Sequence, residues 1–141
     1  MKNDKVAEHF ANGARSGRSL NMFVDGDTIF SYGYHFPICK RLSDGSFFFT
    51  VRTYSHTTAK HISHVRNAIS GARVIYGLFD SNNNIDIEAS IDYTQKELLN
   101  AKNKHTRARL EHTKSFWLSE QLRLRENVQR LVLLSKEILN A

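Results

Sequence analysis

Glycine and proline are the residues that break helices, and their distribution narrows the possible folds more than any other feature of this chain. From Thr94 to the end at Ala141 neither occurs, and leucine, lysine, arginine and glutamate dominate, so helix is expected almost throughout. Thr94 with Glu97 three residues on makes a capping box, which places the helix start there. The preceding part is different. Short runs of β-branched and aromatic residues, Asn21–Val24, Thr28–Tyr34, Ile38–Leu42 and Ser46–Thr53, are separated by Asp25-Gly26, Pro37 and Ser43-Asp44-Gly45, the pattern of successive hairpins. Pro37 has no N–H to give, so it suits a strand start or edge. Phe47, Phe48 and Phe49 put apolar side chains on both faces, as a central strand does.

Between these blocks, Ser55 or Thr57 can cap a helix over about 58–70 that shows Ile62, Val65 and Ile69 on one face and Lys60, His64 and Asn67 opposite, with His61 and Arg66 flanking. Val74–Leu78 reads as a strand. The alternation of Ile85, Ile87, Ala89, Ile91 and Tyr93 with Asp86, Glu88, Ser90 and Asp92 reads as another, half-buried and acidic outside. The expected fold is α+β: a mainly antiparallel sheet over 21–93 with one packed middle helix, and a long C-terminal helix or helical hairpin over 94–141. Residues 1–20, with Arg15 and Arg18 among small and polar types, are expected to form a flexible basic arm.

Leu110, Trp117, Leu124, Leu131 and Ile138 recur at sevens in the helical region and form a candidate oligomer seam. The residues four further on, Lys114, Gln121, Val128 and Ser135, are too polar for a long two-stranded coiled coil. Either the surplus leucines are shared with another copy, making a homo-oligomer, or the helix folds back at a break near His112 to Ser115.

The chain has 141 residues, 40% hydrophobic and 24% charged, the composition of a globular domain. A single cysteine, Cys39, rules out an internal disulfide and a multi-cysteine zinc site. No segment has the roughly 18 apolar residues of a membrane span, so no membrane partner is expected. A net charge of +6 favours phosphate-bearing partners.

The densest polar stretch runs from Arg52 through Tyr54, Ser55, His56, Thr57, Thr58 and Lys60 to His61. It enters a helix, where free N–H groups attract anions, so these side chains are candidates for a phosphate or carboxylate pocket. The plainer alternative is that the hydroxyls cap the helix and the cations are solvated. Arg15, Arg18, Arg107 and Arg109 form a possible second basic surface, with Tyr32, Tyr34 or Tyr54 available to stack on bases. His35, His56, His61 and His64 lack the spacing of a metal motif, and neither a P-loop nor a dinucleotide fingerprint is present. No catalytic residue, metal or cofactor is expected.

Asn12-Gly13, Gly17-Arg18, the run from Phe30 to Cys39 and the run from Tyr54 to His61 resemble a family of small uncharacterised bacteriophage proteins. That family's pattern reads Tyr-Ser-Tyr-Gly-X-His-Phe-Pro-Ile-Ala and Tyr-Ser-X-Thr-Thr-X-X-His. Phe30 replaces the first tyrosine and Cys39 the alanine. The resemblance, over about 12–69, implies a phage accessory or anti-defence protein in the cytoplasm of the infected bacterial host, and groups His35, Ser55, Thr57, Thr58 and His61 as one site. The expected ligand is phosphate-containing, either nucleic acid or a signalling nucleotide. The alternatives are a protein-binding inhibitor of a host factor, acting through the C-terminal helices, and a metal-assisted nuclease or hydrolase.

Overall fold

Gly26 and Gly45 take φ of 66° and 87°, a left-handed conformation that glycine adopts without strain, and so reverse the chain at the two hairpins. The computed structural model describes residues 1–53 and 55–139. Its strands are β1 (Ser16–Arg18), β2 (Met22–Asp25), β3 (Thr28–Ser31), β4 (Pro37–Arg41), β5 (Phe47–Thr50), β6 (Val74–Phe79) and β7 (Ile85–Asp86). They lie side by side in chain order. The pairs from β1 to β5 are antiparallel, whereas β6 runs parallel to β5. A parallel neighbour needs a crossover, and helix α2 (His56–Ala68) supplies it. Pro37 opens β4 opposite Phe30, where the β3–β4 register shifts, as a residue without an N–H requires.

The chain divides into two compact units, 1–85 and 86–141. In the first, Met22, Val24, Ile29, Ile38, Phe47 and Phe49 share a core with Ile62 and Val65 of α2 and with Ile69 just beyond its end. Phe48 points to the other face and meets Phe79 edge to face at 5.1 Å.

The expectation of a free arm over 1–20 is corrected. Helix α1 (Asn3–Ala11) buries Val6, Ala7 and Phe10 completely in the same core. Its far end is fastened by Arg41, whose Nη1 donates to Phe10 O (2.8 Å) and Ala14 O (2.7 Å) and whose Nη2 donates to Gly26 O (2.8 Å). The guanidinium also lies 4.8 Å from the centre of the Phe10 ring. One carbonyl of the last turn of α1, Phe10 O, and two in the turns beyond it, Ala14 O and Gly26 O, thus gain a charged donor.

The second unit is a pair of helices, α3 (Ile87–Arg107) and α4 (Glu111–Leu139). The strand expected over 85–93 is a second correction: only Ile85 and Asp86 are strand, and Asp86 Oδ1 caps α3 by accepting from Ala89 N at 3.0 Å. Alternation misled because Ser90 and Thr94, four apart, are the buried residues. Their hydroxyls donate one turn back, to Asp86 O and Ser90 O. The break falls at 108–110 rather than near His112. Lys104 against Trp117 (4.5 Å) and Asn127 against Thr94 (3.4 Å) fix the two helices as antiparallel.

The heptad column does not lie on one exposed face. Leu124 and Leu131 are already buried within the chain and Trp117 is half-buried, whereas Leu110 and Ile138 at the two ends are exposed. The outer side of α4 exposes Leu118, Leu122 and Leu133. Among the described residues, no helix is long and apolar enough to cross a membrane.

Candidate functional site

Strand β5 ends at Thr50, whose Oγ1 accepts from Arg52 N at 3.1 Å, and the chain then turns into α2. Ser55 is extended (φ −146°, ψ 167°) and caps that helix: its Oγ accepts from Thr58 N at 3.1 Å and lies 3.0 Å from Thr58 Oγ1. Both hydroxyls are therefore engaged in starting the helix, and Thr58 is buried.

One turn further on, His61 is only 2% exposed. Its Nδ1 lies 2.6 Å from Ser31 Oγ at the end of β3, and the Tyr32 ring stands 5.3 Å from its own. Burial, and secondarily the charge of His64, lower the imidazole's pKa. In the neutral ring so favoured, one hydrogen joins Ser31 and His61. Tyr32 adopts φ 65°, costly for a residue with a Cβ. It is held there by its N–H to Asn21 O at 2.6 Å and by Gly33 N–H to Ser31 O at 2.8 Å. His35 is exposed; a Cβ on Gly33 would meet its ring at 3.2 Å, so glycine makes room for it.

The structure therefore divides the predicted set. Ser55 and Thr58 serve the cap, and His61 faces inward. Among the described residues, Arg52, His56, Thr57 and Lys60 are exposed at the start of α2 while His61 is buried against Ser31. Tyr54 lies outside the described residues. His56, Lys60 and His64 recur every four residues and so share one side of α2. No ion pair among the described residues involves α2.

Sequence reasoning missed the reach of this charge, although the signal was plain: from Gly45 to Phe79 there is no aspartate or glutamate, while Arg52, Lys60, Arg66 and Arg73 are all present. It also missed Ser31, which lay inside the Phe30–Cys39 run.

Of the second basic surface, Arg18 lies 5.2 Å over Phe23 beside Tyr34, and Arg15 approaches Gly26. Arg107 and Arg109 belong to the other unit. Tyr34 donates to Asp25 at 2.9 Å, which raises its phenol pKa. Cys39 is buried, and desolvation pushes its thiol well up, away from reactivity. Among the described residues, no group of three or more His, Cys, Asp or Glu could hold a metal. A 520 Å³ hollow in the helical unit is lined by Asp86, Glu88, Asp92, Ala89, Ile91 and Gln95, a lining that repels phosphate.

No curated protein and no solved structure matches the chain. The profile of the family of unknown function DUF8033 matches residues 5–80, a span running from α1 to the end of β6 that includes both Ser31–His61 and the exposed cations of α2. The chain belongs to that family.

Proposed function

We propose that the chain binds a phosphate-containing polymer, nucleic acid in preference to a small signalling nucleotide, through the solvent side of α2. It does so as a non-enzymatic accessory or anti-defence protein of the kind its phage-like motifs resemble. The observation that carries the reading is the carboxylate-free segment from Gly45 to Phe79, which holds Arg52, Lys60, Arg66 and Arg73, with His56 and Lys60 exposed and His64 half-buried along one side of α2. A segment rich in lysine and arginine and free of carboxylates holds a polyanion by releasing its counterions. A small nucleotide would need a cup, and two of the residues expected to build one are engaged in capping instead.

The test is fluorescence anisotropy with a labelled oligonucleotide. Lys60→Glu is expected to weaken binding several-fold and to flatten its salt dependence. Ser55→Ala is expected to cost about 1 kcal/mol of stability while leaving the affinity of the folded protein unchanged. Wild-type affinity in Lys60→Glu rejects the α2 surface. A loss of binding in folded Ser55→Ala restores the pocket.

A second reading, a protein-binding inhibitor, is favoured by the outer side of α4, where Leu118, Leu122, Val132 and Leu133 are exposed together.

A further inference from the structure

We infer that the turn joining α3 to α4 is a second docking surface, one that takes single-stranded nucleic acid. From Leu98 to Leu110 the chain again carries no carboxylate, whereas Lys102, Lys104, Arg107 and Arg109 are all exposed. None of the four enters an ion pair among the described residues. The dipole of α3 accounts for Lys104 and Arg107 in its last turn. It does not account for Arg109, which lies beyond the helix, nor for the apolar groups beside these cations.

Leu110 is 60% and Phe116 54% exposed. Phe116 meets Trp117 edge to face at 4.9 Å, and the Lys104 ammonium lies 4.5 Å from the centre of the Trp117 ring. A cation over the half-buried Trp117 ring, with the exposed Phe116 ring against it, matches a ligand that carries phosphates and unstacked bases together. A duplex hides the base faces. An anionic bilayer fits less well, because its surface offers phosphates without planar base faces for the exposed Phe116 ring, and Glu111 beside Leu110 has its own partner in Lys114 at 3.7 Å.

Trp117 is the chain's single tryptophan, so its emission reports on this surface directly. Oligothymidylate is expected to quench it saturably. With four phosphate contacts, the logarithm of affinity should fall with the logarithm of salt at a slope of about −2.8. Arg107→Ala with Arg109→Ala should bring that slope to about −1.4, and the charge-reversed pair R107E/R109E should abolish quenching while far-ultraviolet circular dichroism stays helical. Absence of quenching overturns the proposal, as does a wild-type slope in the double alanine variant. So does an emission shift with phosphatidylserine vesicles and none with oligothymidylate. The inference does not rest on the α2 reading: failure of that reading leaves Trp117 quenching in place, and failure of this one leaves the effect of Lys60→Glu in place.

Discussion

The two units solve the problem of burying a helix in opposite ways. Residues 1–85 build an interior of large rings and branched side chains, with Phe10, Phe48 and Phe49 fully covered. The helical unit buries Ser90, Thr94, Ala101, Gln121 and Asn127 beside Leu124, Leu131 and Leu134, while Leu118, Leu122 and Leu133 face outward. A sheet with helices laid on it has a deep middle to fill. Two helices side by side bring only a narrow stripe into contact, and small or hydroxyl-bearing residues allow close approach because their hydroxyls bond back to their own helix. Hydrophobic sequence content is therefore a poor guide to which leucines are buried in the second unit and a good one in the first. The DUF8033 match covers the first unit alone.

The sharpest way to break this contrast is Phe10→Ala. It removes a buried ring from the shared core and should cost about 3–5 kcal/mol in urea unfolding; a loss near zero would mean that α1 is only loosely held. A smaller effect comes from pH. Because burial keeps the His61 pKa below that of a free imidazole, unfolding takes up a proton. This contribution to stability is complete above a pH of about 6.5 and is lost as pH falls from there through the depressed folded value. Urea midpoints of wild type should therefore drop on acidification more than those of His61→Gln, and parallel curves would show that the Ser31–His61 contact does not discriminate between the charged and neutral rings. The smallest change is expected from Leu118→Ser with Leu122→Ser, about 0.5 kcal/mol or less because both side chains are exposed. A large loss there would mean that this side of α4 is covered.

Much of the first unit was legible because its signals are local. Asp25-Gly26 and Asp44-Gly45 mark turns, Pro37 marks a strand start, and Ser55 marks a helix start. The β5–α2–β6 order follows from strand, helix and strand in sequence. What could not be read depends on distant partners. Val6, Ala7 and Phe10 look like one short turn until the sheet they cover is known. Arg41 resembles any strand cation, since its acceptors Phe10, Ala14 and Gly26 are spread along the chain. His61 was placed at the margin of the apolar stripe, and only Ser31 across the sheet decides that it turns inward. At the start of α3 the alternation of apolar and polar residues is that of a strand, and the cap from Asp86, with Ser90 and Thr94 buried one turn apart, overrides it.

The guanidinium of Arg41 also imposes an order on biosynthesis. α1 leaves the ribosome before β4, with its apolar side still lacking a counterpart, and β4 emerges later carrying the group that fastens it. Until then the first helix is a tethered client, shielded by whatever nascent-chain binders are at hand, and the β2 and β3 hairpin must assemble without it. Slowing translation after α1 has cleared the exit tunnel and before Arg41 has should lengthen that window and raise the share of nascent chains held by chaperones.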